Sequence, residues 1–326
     1  MNQLRTPIVA VFAAVLTGLL AFPAVAQDWP TRTIRVVVPF GAGSSPDILA
    51  RIINDKLAVR MGQAIIVENK PGGGGNSGTD QVAKTSPDGY TFLLSVNAPL
   101  VYNTVVYPKL PYDPFRDLMP VTLAATTPNV CVASSAMGVD TVKAWLGAMR
   151  SNPGKFNFAS TGTGSISHLG VELIKLKTQS FAVHVPYSSS GTAVTAMLQG
   201  DVQFGCLPAV AVMPHVKSGR LKALAITSAD RSPLLPDLPT LRESGLPDVQ
   251  AFPWFAYMAP KGTQQAIVER MNREIVAVLR DPEVRARLQA NYFDPIGSTA
   301  ESLATFMTEE RARWKPVIER AGIKPD

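Results

Sequence analysis

The sequence is poor in the residues that build reactive or metal-binding centres. Its 326 residues include two cysteines and three histidines, too few for a disulfide framework or for a zinc site of three or four thiolates. His168, His184 and His215 stand in no HExxH spacing, and the chain has neither the Lys-Ser/Thr of a P-loop nor a GxSxG elbow. These absences argue against an enzyme of those classes, and no metal or cofactor is expected.

Runs of like charge are missing as well. The formal net charge is +6, with 17% charged residues, but Lys and Arg are dispersed along the chain. No nucleic-acid-binding arm is therefore predicted. With 46% hydrophobic residues the composition is that of a globular protein, long enough for one or two domains with complete cores.

Long apolar runs are confined to the start of the chain. Arg5 precedes an apolar stretch at residues 8–22, which is followed by Ala24-Val25-Ala26. A stretch of about 15 residues is shorter than the roughly 20 that span a bilayer, so residues 1–26 are predicted to be a cleaved secretory signal. An uncleaved anchor is the alternative. Cleavage would place the mature chain, beginning at Gln27, in the bacterial periplasm or outside the cell.

Cys131 and Cys206 both lie in apolar, strand-like segments. Such surroundings favour two buried free thiols, and a bridge, which an oxidising compartment allows, is the alternative. A bridge would close a loop of about 75 residues and could add roughly 4 kcal/mol of stability.

Short apolar runs alternate with amphipathic stretches along most of the chain. The alternation starts at Ile34, resumes after Pro120 and continues to Cys206. It predicts an α/β fold of two lobes, each a mostly parallel sheet flanked by helices. Three further helices are predicted at residues 263–280, 282–290 and 299–320, with a strand before them at residues 249–258.

Lobe one is predicted to be discontinuous. The closing helices need a sheet to cover, and the first three strands supply one with only short helices of their own. We therefore expect the chain to leave this lobe near Leu123 and to return near Ile226. The prediction assigns residues 27–124 and 227–326 to lobe one and residues 125–226 to lobe two.

Two loops rich in glycine and hydroxyl groups each lead from a strand into a helix start, at residues 39–47 and 159–168. Open α/β folds bind ligands at the carboxyl ends of their strands, and a helix N-terminus presents free backbone donors to an anion. Neither loop contains Lys or Arg, so a carboxylate would be held there by neutral dipoles and hydroxyls. Residues 185–191 form a third candidate loop.

Several residues near these loops have two interpretations. Ser165 and His168 could serve a hydrolase, but the sequence displays no acid to orient them. Asp47 favours the helix dipole and would repel an anion, so we interpret it as an organiser of its loop. Trp254 and Phe255 are predicted to pack in a core, with stacking on a ligand as the alternative.

Seven blocks in order along the mature chain resemble the Bug (TctC-like) family, the substrate-binding proteins of tripartite tricarboxylate transporters. The blocks are Asp28-Trp29-Pro30, residues 34–40, Asp47 with Ala50-Arg51, and residues 67–76, 87–91, 184–187 and 231–240. The resemblance implies a monomeric, non-enzymatic protein with a type II periplasmic solute-binding fold. It would close on a small carboxylate and deliver it to a two-component membrane permease. A sensory variant that presents the ligand to a signalling receptor is the alternative.

The resemblance also implies a ligand-binding site drawn from both lobes. The positions carried over are Phe40, Gly41, Ala42, Gly43, Ser44, Ser45, Asp47, Ser95, Asn97, Thr161, Gly162, Thr163, Gly164, Ser165, His168, Tyr187 and Leu207. Two stretches depart from the family pattern: Ala42-Gly43-Ser44 stands where Pro-Gly-Gly is common, and Leu207-Pro208 where an Asp is common. An apolar Leu207 argues against amino acids and favours a less polar di- or monocarboxylate, aromatic ones included.

Overall fold

The computed structural model describes residues 29–325, so the predicted signal segment lies outside the described residues. Two β-sheets, each with helices on both faces, form two lobes. Within residues 29–325, no helix combines the length and the hydropathy that crossing a membrane requires.

Lobe one is built on a six-stranded sheet. In spatial order its strands are β11 (Asp294–Pro295), β4 (Leu118–Thr126), β10 (Trp254–Pro260), β3 (Thr91–Val96), β1 (Ile34–Val38) and β2 (Ile65–Asn69). Strand β1 pairs in parallel with β2 and β3, whereas β10 runs antiparallel to β3 and β4, and β11 antiparallel to β4. The helices of this lobe are α1 (Ser45–Met61), α2 (Asn76–Ala83), α3 (Asn103–Val106), α4 (Pro114–Asp117), α9 (Gln265–Arg280), α10 (Pro282–Ala290) and α11 (Ala300–Arg320).

Lobe two is built on a five-stranded sheet. Its strands, in spatial order, are β7 (Val183–Pro186), β6 (Asn157–Ser160), β8 (Phe204–Pro208), β5 (Asn129–Ser134) and β9 (Leu221–Ile226). Strand β6 is parallel to β7 and β8, and β5 is antiparallel to β8 and β9. The helices of this lobe are α5 (Val142–Ser151), α6 (Ile166–Thr178), α7 (Ser190–Gln199) and α8 (Ala209–Lys217).

Apolar clusters lie on both faces of each sheet. In lobe one, α1 and α9 cover one face through residues such as Ile53 and Met271, and α11 covers the other face with Trp314. In lobe two, α5 and α6 pack on one face, and α7 and α8 pack on the other. Burial on both faces stabilises each lobe as a three-layer unit.

The two-lobe α/β fold is confirmed, but both sheets are mixed where mostly parallel sheets were predicted. The antiparallel strands are β4 and β10 in lobe one and β5 and β9 in lobe two, which flank the two passages between the lobes. These passages run from Thr126 to Asn129 and from Ile226 to Trp254. The domain limits at residues 124 and 226 stay a prediction.

The three C-terminal helices lie within two residues of their predicted starts. The strand predicted at residues 249–258 begins only at Trp254. Strands β4 and β11 and helices α3, α4 and α8 were not predicted. Helix α2 begins at Asn76, next to a glycine-rich turn. Its Gly78 packs against the backbone, since a Cβ there would lie 2.7 Å from the Lys70 carbonyl oxygen and 2.9 Å from Pro39 Cα.

Cys131 and Cys206 form a disulfide, so the expectation of two free thiols is wrong. The two residues lie directly opposite each other on the antiparallel pair β5–β8, where facing side chains approach closely. Both are buried, at 0% and 1% exposure. The disulfide belongs to the core of lobe two.

Candidate functional site

A cavity lies between the two lobes and is lined by both. Nine of its residues are Ser or Thr, two are Asn, and the rest are apolar or Gly. They are Phe40, Ser44, Ser45, Pro46, Gly74, Val96, Asn97, Ala98, Asn129, Thr161, Gly162, Thr163, Ser165, Ile166, Ser167, Ser188, Ser189, Ser190, Pro208, Pro253 and Phe255. No charged residue and no His lies among these described lining residues. The cavity has a volume of about 70 Å³, several times what one water molecule needs.

Three helix N-termini converge on this cavity. Helix α1 of lobe one begins at Ser45, and α6 and α7 of lobe two begin at Ile166 and Ser190; all three residues line the cavity. The first backbone N–H groups of a helix have no carbonyl partner within that helix and carry partial positive charge. The site therefore has a positive potential without a cationic side chain. Among residues 29–325 no group of three His, Cys, Asp or Glu side chains could hold a metal ion.

The loop before α1 contributes part of its predicted set. Phe40, Ser44 and Ser45 line the cavity, whereas Gly41, Ala42, Gly43 and Asp47 do not. Ser44 occupies the N-cap position of α1, but its hydroxyl makes no cap hydrogen bond. Ser44 Oγ is buried and has no hydrogen-bond partner among the described residues. A buried donor of this kind is available to a ligand.

Asp47 organises this loop, as the sequence indicated. Its carboxylate accepts hydrogen bonds from the Gly43 N–H at 2.8 Å and from Asn69 Nδ2 at 3.0 Å, and it pairs with Arg51 at 2.9 Å. Burial alone would raise the pKa of Asp47, but the bonds from Arg51, Gly43 and Asn69 outweigh that effect and hold it below its usual value. The bonds also fix Gly43, whose φ of +76° favours glycine. Asp47 thus holds the loop without reaching the cavity.

The loop before α6 places four predicted residues at the cavity: Thr161, Gly162, Thr163 and Ser165. The hydroxyls of Thr161 and Ser165 lie 3.0 and 2.9 Å from Ser167 Oγ, which also accepts the Thr161 N–H. The predicted Gly164 and His168 do not line the cavity. The Gly164 N–H donates to His168 Nδ1 at 3.2 Å, so His168 supports the loop from behind.

A stacked pair of histidines stands behind the same loop. The rings of His168 and His184 lie 3.6 Å apart with an interplanar angle of 8°, and His184 Nε2 is 2.6 Å from Ser160 Oγ. His168 Nε2 lies 3.7 Å from Glu172, which pairs with Lys175 at 2.6 Å. Burial, followed by the adjacent His168, lowers the pKa of His184 to about 3. His184 is therefore neutral at ordinary pH.

The neutral His184 predicts a loss of stability in acid. At pH values between the unfolded pKa of 6.5 and the folded pKa of about 3, His184 is protonated in the unfolded chain and neutral in the folded chain. The free energy of unfolding therefore falls as pH falls through this window, by at most about 1.4 kcal/mol per pH unit from this residue. In urea denaturation at pH 6.5 to 4.5, His184→Gln is expected to lose stability less steeply than the wild type. The two curves are expected to run parallel from pH 7 to 8, and parallel curves below pH 6.5 would contradict the prediction.

The remaining predicted residues divide between the cavity and the core. Asn97 lines the cavity, while its Nδ2 donates to the Phe252 carbonyl and to the Tyr102 hydroxyl, both at 3.2 Å. Ser95 and Tyr187 lie outside the lining. Leu207 is also outside it and packs in a core cluster of lobe two, because its neighbour Pro208 faces the cavity. The preference for a less polar ligand drawn from Leu207 therefore has no structural basis.

Sequence reasoning missed the residues that follow the passages between the lobes. Asn129 and Pro253 stand at the ends of these passages. Phe255 of β10 was not missed, because contact with a ligand was the alternative interpretation stated for it. Phe255 lines the cavity and also packs edge-on against Phe293, whereas Trp254 is entirely core. The serines at 188–190 belong to the third candidate loop, so the pattern of a hydroxyl-rich helix start does identify them. Asn129 carries no such signal.

Two α/β lobes with a neutral cavity between them define the class of two-lobe solute-binding proteins. A solved structure described as a periplasmic transporter superposes with a TM-score of 0.86 at 35% identity, covering 91% of this chain and 100% of that one. The R. palustris protein Rpa4515 with adipate gives 0.88 at 33% identity over 92% and 100% of the two chains. MatC from Rhodopseudomonas palustris, with bound malate, gives 0.83 at 32% over 89% and 100%.

The family is identified by sequence. Residues 49–323 match the model of the tripartite tricarboxylate transporter family receptor, TctC, and the chain belongs to this family. Protein BugT of Bordetella pertussis (strain Tohama I) is 38% identical over 326 residues, 99% of either chain. The family and its structural neighbours are periplasmic solute-binding proteins and not enzymes, which removes the hydrolase interpretation of Ser165 and His168.

Proposed function

We propose that this protein binds a small di- or monocarboxylate between its lobes in the periplasm and delivers it to a membrane permease of the tripartite tricarboxylate type. The observation that carries the proposal is the convergence of three helix N-termini and nine hydroxyl residues on a cavity whose described lining is uncharged. Neutral donors suit an anion that must be both captured and released, because they limit the desolvation cost of binding.

The structural neighbours support a carboxylate ligand. Two of them hold adipate and malate, and both molecules are small dicarboxylates. The permease partner and the periplasmic location rest on the family and on the predicted signal at residues 1–26. Lobe closure would be driven by contacts that only the closed state makes, since each lobe supplies part of the lining.

Ser44→Ala tests the carboxylate site. The Ser44 hydroxyl is free to donate to an anion, and a hydrogen bond to a charged group is worth about 1.5–3 kcal/mol. We expect the variant to bind its best carboxylate at least about tenfold more weakly in calorimetric titration. The helix is expected to survive, because this hydroxyl makes no cap bond.

Ser95→Ala is the matched control. Ser95 Oγ is likewise buried and without a partner, but it lies outside the cavity. Ser95→Ala is expected to leave the affinity for the carboxylate unchanged.

The wild type should first be screened by thermal shift against aliphatic and aromatic carboxylates, because a ligand at 100 times its Kd adds about 2.7 kcal/mol of stability. A screen of ligand-free protein in which no carboxylate stabilises it would refute the proposed function.

A further inference from the structure

Asn129 presents an unused hydrogen-bond acceptor to the cavity. It is the first residue of β5, is 0% exposed and lines the cavity. Its Nδ2 donates to the Ala251 carbonyl at 3.4 Å, while its Oδ1 has no partner among the described residues. A buried polar atom left unpaired in this way requires an explanation, and a bound ligand is one.

The register of the sheet sets the direction of this side chain. Asn129 lies directly opposite Pro208 on the antiparallel pair β5–β8, and facing residues of such a pair point to the same side. Pro208 also lines the cavity. The next pair, Val130 and Leu207, points the other way into a core cluster of lobe two. The Asn129 side chain therefore projects toward the ligand side of the sheet.

The orientation of the Asn129 amide is fixed by its neighbours. The Ala251 carbonyl can only accept, and it already accepts from the Thr227 hydroxyl. The Asn129 NH2 group must face that carbonyl, because a flipped amide would bring two acceptors together. Oδ1 is thereby left as an acceptor that only a donor inside the cavity can satisfy.

We propose that the ligand is a hydroxycarboxylate, with its hydroxyl donating to Asn129 Oδ1. This inference rests on the proposed function, in which the carboxylate binds at the helix N-termini and Ser44. An ammonium group could also donate, but the described lining contains no Asp or Glu to balance its charge, and an unpaired buried cation is strongly disfavoured. A plain carboxylate supplies no donor for Oδ1. Asn129 is therefore the residue that determines specificity for the hydroxyl.

The test compares ligands that differ by one group. Calorimetric titration of the wild type would use malate against succinate and lactate against propionate, with aspartate as the amino analogue. We expect at least one hydroxylated member to bind at least about tenfold more tightly than its plain partner, and malate to bind more tightly than aspartate. In Asn129→Ala this preference is expected to fall to about twofold or less, through weaker binding of the hydroxylated ligand alone.

Both ligands of a pair are titrated into the same sample, so a reduced folded fraction cancels from the ratio. Ser134→Ala is the matched control, because Ser134 Oγ is an unpartnered buried oxygen on the same strand but outside the cavity. It is expected to keep the preference. If carboxylates bind with no hydroxyl preference, if the preference survives Asn129→Ala, or if aspartate binds best, this inference is wrong while the proposed function stands. If no carboxylate binds, both fail.

Discussion

Replacing Cys131 and Cys206 together by alanine is expected to lower the free energy of unfolding by about 4 kcal/mol. The bond joins residues 75 positions apart, and the loop it closes contains α5 to α7 with the strands between them. Without the bond, the unfolded chain regains the conformational freedom of this long loop. Urea denaturation of the oxidised wild type and of the double variant measures the difference.

The reduced wild type is the matched control for this experiment. It lacks the bond but keeps both sulfur atoms in the core, so it separates the effect of the crosslink from the loss of packed atoms. We expect its stability to lie much closer to that of the double variant than to that of the oxidised protein. Equal unfolding midpoints for the oxidised wild type and the double variant would show that the crosslink contributes nothing. Ligand affinity is expected to persist, because neither cysteine lines the cavity.

The pairing of Cys131 with Cys206 could not be predicted from the sequence. Both cysteines were correctly placed in buried strands, but their pairing depends on β5 and β8 being antiparallel neighbours. A strand–helix alternation favours parallel neighbours, and it does not show which strands enter from the other lobe. The strand order of a mixed sheet is decided by long-range packing that no local pattern encodes.

Two of the longer elements that sequence reasoning missed each contain a proline. Strand β4 includes Pro120 and helix α8 includes Pro214, and proline argues against a strand or helix interior. Pro120 is tolerated near the start of β4, where β10 shows a register irregularity between Tyr257 and Met258. In α8, the apolar residues around Pro214 pack on the lobe-two sheet. Tertiary packing therefore overrides the local signal in both places.

The parts of the candidate site that lie at helix starts were predictable from the sequence. The parts that lie at the passages between the lobes were not. The Ser, Thr and Gly residues before α1 and α6 predict a loop that leads into a helix start, because these residue types are favoured at helix N-caps. Asn129 and Pro253 gain their position from the passages between the lobes, and no periodicity marks these. Leu207 was misplaced by a single residue, which in a strand reverses the face that a side chain occupies.

The buried carboxylate of Glu310 holds the passage from Ile226 to Trp254 against lobe one. Glu310 of α11 is 5% exposed, and its Oε2 accepts from the Tyr102 hydroxyl at 2.6 Å and from Trp254 Nε1 at 3.1 Å. Its other oxygen lies 3.4 Å from Arg313, which donates to the Gln250 carbonyl at 2.6 Å. Burial and the charge of Glu310 raise the pKa of Tyr102 well above its usual value, so the tyrosine remains a donor.

Glu310→Ala is expected to lower the free energy of unfolding by about 3 kcal/mol, because it leaves two buried donors without an acceptor, each at a cost of about 1–3 kcal/mol. Tyr102→Phe is the matched comparison. It removes the hydroxyl that donates to Glu310 and accepts from Asn97, but the carboxylate stays paired with Trp254 and Asn97 Nδ2 keeps its bond to the Phe252 carbonyl, so a loss of about 1 kcal/mol is expected. Urea denaturation of the full chain measures both. Equal losses in the two variants would contradict the assignment of Glu310 as the shared acceptor.

Glu310→Ala is also expected to weaken ligand binding, although Glu310 lies outside the cavity. Tyr102 accepts a hydrogen bond from Asn97 Nδ2 at 3.2 Å, and Asn97 Oδ1 accepts from the backbone N–H of Trp254 at 3.4 Å. Asn97 itself lines the cavity. Loss of the carboxylate removes the acceptor that holds the Tyr102 hydroxyl, and the Asn97 side chain that donates to this hydroxyl loses part of its support. Lys315→Ala changes an exposed residue of the same helix, outside both the cavity and the Glu310 contacts. If it weakened binding as much as Glu310→Ala, the effect could not be assigned to this hydrogen-bond network.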